Sequence, residues 1–358
     1  LSILAPNQEP RATLYMEQII AMVQALVDKG FAYAADNGDV YYAVSKFENY
    51  GELSGKNIED LRAGERVAVD DAKKDPLDFV LWKSAKPGEP SGDSPWGKGR
   101  PGWHIECSAM STECLGHNFD IHGGGSDLMF PHHENEIAQS EAATGKTFVH
   151  TWMHNGPVRV DDEKMSKSLG NFYTVHDLLD EFPGEALRLV LMKTHYRKPL
   201  DFTKDGIRDA KKELDEFYLA LRNQADVKAM VPDHPPAQIM AALADDLNTP
   251  LALSHLYELK TQLNVATKMR IKARLKGELL MAGDVLGLLG QDPQAWLRGA
   301  SSSDQDGLSD ADIDALIEQR TQARADKDFA TSDRIRDELA EAGITLEDGA
   351  GTTAWRRQ

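Results

Sequence analysis

Lys164-Met165-Ser166-Lys167-Ser168 carries two lysines on one short segment, followed by Leu169-Gly170-Asn171. Two ammonium groups on flexible stems can close over the β and γ phosphates of a nucleotide and offset charge as pyrophosphate departs. The bland alternative is a solvated basic turn. A second chemically capable group lies upstream, in Pro131-His132-His133-Glu134-Asn135-Glu136. His132 and Glu136 are one helical turn apart and share a face, and Cys107 supplies a third donor from the preceding helical stretch. Sulfur, imidazole and carboxylate together suit zinc, whose sites accept all three and in enzymes keep a position open. Spacing alone leaves a polar helix start as the competing reading. Gly123-Gly124-Gly125 allows close backbone approach, and Asp127 is placed to accept from a ribose hydroxyl, as carboxylates do in other nucleotide sites. A glycine run by itself is most often a plain turn.

The elements that must carry these residues alternate. Residues 14–29 hold Met16, Ile19, Ile20, Val23, Leu26 and Val27 at helical spacing, with Gly30 as a stop. Two β-prone runs, Phe31 to Ala35 and Val40 to Val44, flank Asn37-Gly38, which favours a tight hairpin turn. Residues 50–100 read as an irregular insertion with brief apolar runs such as Phe79-Val80-Leu81-Trp82. From Trp103 there follow a helix through Cys107, a strand at Phe119 to His122, a glycine turn, a helix from Pro131 and a strand at Val149 to Met153. That alternation predicts parallel βαβ units in an open, doubly wound sheet, with ligands at the strands' C-terminal ends. Beyond Pro183 helices are expected at 185–194, 205–225, 236–245, 250–266 and 272–288, forming a bundle.

The chain has 358 residues, and its 41% hydrophobic and 27% charged content is that of a globular protein with several domains. A net charge of -18 argues against broad nonspecific nucleic-acid binding. Local basic runs occur between Lys260 and Lys276 and at Trp355-Arg356-Arg357; on charge alone they read as a solvated helix face and a frayed terminus. No apolar run reaches the roughly 20 residues needed to cross a bilayer, and the start has no signal-peptide pattern. A cytoplasmic protein without membrane contact is expected. Cys107 and Cys114 are too few for a disulfide framework, so an important thiol acts as ligand or nucleophile. The missing initiating Met is read as a sign that Leu1 is not the true beginning.

Three stretches, Gly102-Trp103-His104-Ile105-Glu106-Cys107-Ser108-Ala109-Met110, Asp120-Ile121-His122-Gly123-Gly124-Gly125-Ser126-Asp127-Leu128 and Phe130-Pro131-His132-His133-Glu134-Asn135-Glu136, together resemble the catalytic core of the cysteinyl-tRNA synthetases. Lys164 to Ser168 resembles the signature loop of the class I aminoacyl-tRNA synthetases, to which that family belongs. The similarity runs on through Asp245-Asp246-Leu247-Asn248-Thr249-Pro250 to Thr352-Thr353-Ala354-Trp355-Arg356-Arg357. It implies an α/β, doubly wound Rossmann-like catalytic domain over 1–195, its first half partly missing, with a β-containing insertion at about 36–100. It further implies a tRNA-binding helical bundle over 196–298, a linker over 299–307, and a small mixed anticodon-binding domain over 308–358. By the same resemblance Cys107, His132 and Glu136 bind one zinc with a further cysteine upstream. Trp103 lies beside the amino acid, and His122 belongs to a histidine set beneath the metal. ATP, with Mg²⁺, is contacted by Gly123, Gly124, Gly125, Asp127, Lys164, Met165, Ser166, Lys167 and Ser168, with Lys164 and Lys167 catalytic. Arg324, Phe329, Asp333 and Asp348 match anticodon-reading positions, with Phe329 where the family often has Trp. The implied activity is ATP-dependent activation of L-cysteine to cysteinyl adenylate and transfer to tRNA(Cys), by a monomer that selects cysteine through a zinc-thiolate bond.

Two family features, the early cysteine and a His-Ile-Gly-His element, are absent and expected upstream of Leu1. The chain by itself is therefore expected to bind zinc weakly and not to activate cysteine. Competing readings are a ligase joining cysteine to an amino sugar, against which residues 308–358 speak, and a noncatalytic RNA-binding paralogue. A zinc hydrolase ranks last, because His132 and Glu136 lack the paired helix histidines with an intervening Glu.

Overall fold

A computed structural model describes residues 1–57, 72–160, 163–165, 170, 172–299, 308–349 and 353–357. They divide into two compact units, one of Leu4–Pro157 with Tyr196–Pro199, the other of Leu1–Ile3, Val158–His195 and Leu200–Gln358.

In the unit built on Leu4–Pro157, the first amphipathic pattern forms α1 (Met16–Asp28), whose Ile19, Met22, Val23 and Leu26 make one buried stripe. Gly30, at φ 79°, lets the chain turn away. β1 (Ala32–Ala34) and β2 (Val40–Tyr42) pair across the Asn37-Gly38 turn, with Gly38 at φ 81°. β3 (Phe79–Ser84) and β4 (Gly99–Pro101) complete an antiparallel sheet in the order β1-β2-β3-β4. α2 (Trp103–Leu115) leaves that sheet directly, and β5 (Phe119–Gly125), α3 (Glu134–Thr144) and β6 (Val149–Asn155) then make a βαβ unit. Its strands are parallel and registered from Phe119 opposite Val149 to Gly125 opposite Asn155.

The structure departs from two local expectations. Gly123 to Gly125 do not form a turn; they are the last residues of β5, because the ladder with β6 continues through them. The helix expected from Pro131 becomes α-helical only at Glu134, after a wider π-type turn over Met129–His133. Phe130 inside that turn is extended, at φ -136° and ψ 131°, as the residue before a proline prefers.

In the second unit, β7 (Val158–Val160), β8 (Glu163–Lys164) and β9 (Leu200–Asp201) form a small sheet in the order β8-β7-β9. The bundle contains α4 (Val175–Glu181), α5 (Gly184–Met192), α6 (Lys204–Arg222), α7 (Ala237–Ala244), α8 (Thr249–Val265), α9 (Met269–Leu286) and α10 (Pro293–Arg298). Leu187, Ile207, Leu214, Phe217, Leu256 and Leu279 lie in its core. α4 and α10 were not expected from periodicity, being too short to display it. Their signals are caps: Thr174 accepts from Asp177 N, and Asp292 from Ala295 N ahead of Pro293. The chain ends in α11 (Asp310–Ala325), α12 (Phe329–Glu341) and the hairpin β10 (Ile344–Asp348) with β11 (Thr353–Arg357). The tail at Trp355 is thus no frayed terminus. Trp355 is buried against Ile313, Ile335, Leu339 and Ile344, and its indole donates to Asp314 at 2.7 Å. The expected linker lies, apart from Gly299, outside the described residues. Among the described residues no helix is long and apolar enough to cross a membrane.

Candidate metal centre

Glu136 sits in the first turn of α3 with no solvent exposure, at the centre of a group of side chains from four elements. Cys107 comes from α2, His132 and His133 from the π-type turn, and His122 from β5. The donor atoms of Cys107, His132 and Glu136 lie within 4.8 Å of one another, and so do those of His122, His133 and Glu136. The sequence-derived trio is therefore brought together, with a second trio sharing its carboxylate. The scaffold beneath is tied by buried hydrogen bonds. Ser108 on α2 donates to Gln139 on α3 at 2.6 Å, and Tyr42 donates to Ala138 O at 2.9 Å. Glu134, next along α3, accepts the backbone N–H of Gly51 and of Ser54 at 2.8 and 3.0 Å.

The electrostatics favour a cation. Burial alone would raise the Glu136 carboxyl, but His122 and His132 beside it bring it down to about 2. Its oxygens are 3.0 Å from His122 Nε2 and 2.8 Å from His132 Nε2, within reach of both imidazoles, although among the described residues neither contact is a well-aligned hydrogen bond. Burial, followed by the Glu136 and Glu106 charges, pushes the Cys107 thiol up to about 12. A thiol in that state ionises only when a cation is at hand. Burial, then the neighbouring rings, lowers His104 and His133 to about 4, and burial also lowers His154. Those imidazoles are neutral at pH 7 and keep a lone pair. A buried charged carboxylate without aligned donors, beside sulfur and imidazole, fits zinc in its donor chemistry.

Trp103 opens α2, 61% exposed, and stacks on His132 at 4.6 Å and 21°. Sequence reasoning named Trp103 and His122 but missed the residues between and behind them. His104 Nδ1 is 2.7 Å from His132 Nδ1, so it orients that ring; His133 Nδ1 is 2.8 Å from His154 Nε2. Trp152 on β6 lies 4.7 Å from the His122 ring and 5.0 Å from that of His133. The available signal was register: once β5 and β6 pair, Trp152 stands opposite His122 and His154 opposite Gly124. The glycines permit the crowding. A Cβ on Gly124 would stand 3.0 Å from His133 Cε1, and one on Gly123 2.9 Å from Met153 O. Asp127 is exposed in the 3-10 turn Ser126–Leu128 just beyond them.

The family model for the class I (C) tRNA synthetase catalytic domain matches residues 1–212, the DALR domain 238–290, and the cysteinyl-tRNA ligase anticodon-binding domain 306–356. The chain is 57% identical to the cysteine–tRNA ligase of Alkalilimnicola ehrlichii, over 100% of its own length and 78% of that protein's. It is 56% identical to that of Paramagnetospirillum magneticum, over 100% and 77%, and 57% to that of Thioalkalivibrio sulfidiphilus, over 100% and 78%. The chain belongs to the cysteinyl-tRNA synthetases. It is an α/β enzyme of class I, an aminoacyl-tRNA ligase, and the hydrolase, amino-sugar ligase and noncatalytic readings fall away.

Two other groups of expected cysteinyl-tRNA synthetase residues lie in the second unit. Lys164 ends β8, its backbone opposite Arg159, and Met165 is half-buried; Ser166, Lys167 and Ser168 lie outside the described residues. Near the C-terminus, Asp348 accepts both arms of the Arg320 guanidinium at 2.7 and 2.8 Å, Arg324 Nη1 at 3.1 Å and Thr353 Oγ1 at 2.8 Å. Arg320 holds its carboxyl well below the ordinary aspartate value. Arg320 is buried and was not singled out by sequence; one turn before Arg324, it shares that residue's helix face. Phe329, at the start of α12, is 64% exposed, and Asp333 meets Arg336 at 3.1 Å.

Proposed function

We propose that Cys107, His132 and Glu136 hold one zinc ion and that this centre selects cysteine as the amino acid to be joined to tRNA(Cys). The observation carrying the reading is that Cys107 and His132 converge on the buried Glu136 carboxylate, whose oxygens have no well-aligned hydrogen bond among the described residues. Bound zinc would supply a sulfur-preferring Lewis acid that lowers the pKa of a thiol, whereas a hydroxyl in the same place is a poor ligand. Trp103 forms the exposed wall over His132 and bounds the amino-acid side chain. His104 fixes the His132 ring, and His122 and His133 back Glu136. Gly123 to Gly125 let the nucleotide approach the backbone at the C-terminal end of β5, and Asp127 accepts from a ribose hydroxyl. The cysteine carboxylate attacks the α phosphorus of ATP, forming the acyl phosphate as the bond to pyrophosphate breaks. Lys164 and Lys167 offset charge on the departing group together with the Mg²⁺ that accompanies ATP. Arg324, Phe329 and Asp333 read the anticodon by pairing and stacking, with Asp348 already engaged in holding Arg324. The bundle binds the tRNA, and the enzyme works as a cytoplasmic monomer.

Zinc analysis together with cysteine-dependent ATP–pyrophosphate exchange tests the reading on full-length Cys107→Ser and His132→Ala enzymes. Metal content and exchange are expected to fall together. Full zinc stoichiometry in both variants rejects the ligand assignment.

A further inference from the structure

The run from Lys260 to Lys276 contains six lysines and arginines and no acid, in a chain of net charge -18. α6 shows the usual fate of helix cations here: Lys204, Arg208, Lys211, Lys212 and Arg222 each meet a carboxylate. In the basic run Lys260 and Arg274 are paired likewise, with Glu216 and Glu278, and Lys276 donates to the carbonyls of Gln224 and Val227 at 2.7 and 2.9 Å. Lys268, Arg270 and Lys272 meet no carboxylate among the described residues, and neither does Lys228. The segment of Lys228 is laid along α9 by the Lys276 bonds and by Met230 N–H to Ala273 O at 2.8 Å.

This placement opposes local stability. α9 opens with cations, no acid in its first turn and no side-chain cap, so the charges add to the positive end of the helix dipole. Packing does not require them: Lys228, Lys268 and Arg270 are exposed and Lys272 is half covered. A polyanion laid over the surface turns the same repulsion into attraction. Exposed Met269 and Ile271 alternate with the cations, a feature shared with helices that lie on lipid. However, the apolar face of α9, with Ala273, Leu275, Leu279 and Leu286, is buried in the bundle and is not free to insert. The observations favour RNA, the polyanion this enzyme must hold despite its net charge.

We propose that Lys228, Lys268, Arg270 and Lys272 form a phosphate-binding surface for the ribose-phosphate backbone of tRNA. It rests on the reading of the bundle as tRNA-binding and names the residues that do it. Bonds to phosphate carry position and not sequence, so the surface strengthens binding equally for tRNAs of different anticodon.

The test compares the full-length enzyme with a K228Q/K268Q/R270Q/K272Q variant, and with a K228R/K268R/K272R variant that keeps the charge. The glutamine variant is expected to raise the KM for tRNA about tenfold near physiological salt. It should also lower the slope of log KM against log salt by about 3, at roughly 0.7 for each phosphate no longer neutralised. The fold-change should be the same for an anticodon-substituted transcript, cysteine-dependent pyrophosphate exchange should be unaltered, and the arginine variant should keep the wild-type slope. A wild-type slope retained in the glutamine variant overturns the proposal. So does wild-type binding to phosphatidylglycerol vesicles that the glutamine variant loses while its KM for tRNA stays put, which would assign the patch to lipid. A wild-type enzyme whose KM shows no salt dependence sinks the reading of the bundle itself.

Discussion

Glu136 and Asp348 are both carboxylates approached by several nitrogen donors, and they are built in opposite ways. Glu136 is fully buried, its oxygens 2.8 and 3.0 Å from imidazole nitrogens that do not aim at them. Asp348 is half exposed and saturated, with the Arg320 fork, Arg324 and Thr353 all aligned on it. A buried charge left without aligned donors is costly unless something outside the protein completes it. A saturated carboxylate has little capacity left and serves as a strut that fixes the arginines around it. The difference separates a donor group suited to a cation from a surface already arranged to present Arg324.

The largest effect expected from this contrast is at Glu136. Glu136→Gln should lower zinc affinity and cysteine-dependent pyrophosphate exchange by more than about 100-fold, measured by metal analysis and isotope exchange, while tRNA binding in a filter assay is unchanged. Retained zinc would make Glu136 a strut like Asp348. Next comes His104→Ala, which removes the partner of His132 Nδ1 and should weaken zinc about 10- to 100-fold; equal zinc affinity in competition with a chelator would remove His104 from the site. At the other carboxylate, Arg320→Met should raise the KM for tRNA about tenfold, roughly 1.4 kcal/mol, and leave pyrophosphate exchange alone. A drop in exchange would show that the two ends are not separable.

The smallest effect is on stability. Because Asp348 titrates below its ordinary value of 3.8 in the folded chain, its contribution is complete above that pH and is lost as pH falls toward the folded value. Asp312 and Asp328, held low by the caps they make, add slope of the same sign. Hydrogen–deuterium exchange of β11 in urea should therefore show a lower midpoint at pH 3 than at pH 5, with a smaller difference in Asp348→Asn. An equal difference in that variant would deny Asp348 its role as a strut.

Much of this was legible in one dimension. His132 and Glu136 could be named as a pair because about one helical turn separates them, and they meet at 2.8 Å even though the turn at His132 is π-type; Cys107, on another helix, was named for its donor type and the family resemblance. The bundle helices α5 to α9 were visible within a few residues because their apolar positions recur at helical spacing, whereas α4 and α10 are too short to show it. His104, His133, His154 and Trp152 were not separately visible as neighbours, since their closeness depends on strand pairing and on helix packing between residues far apart in sequence. Trp355 was misjudged because a charged terminal segment shows nothing of the tryptophan slot that α11 and α12 create.

The sequence by itself determined which side chains offer sulfur, imidazole and carboxylate donors, where the longer helices run, and that the run after Lys260 is basic, since these depend on residue type and local spacing. Only the tertiary structure decided that the glycines finish a parallel strand, that Glu136 is buried beside unaligned imidazoles, and that Asp348 is filled by an arginine no motif had marked. Burial, alignment and charge compensation are properties of groups brought together across the fold, and neither spacing nor composition specifies them.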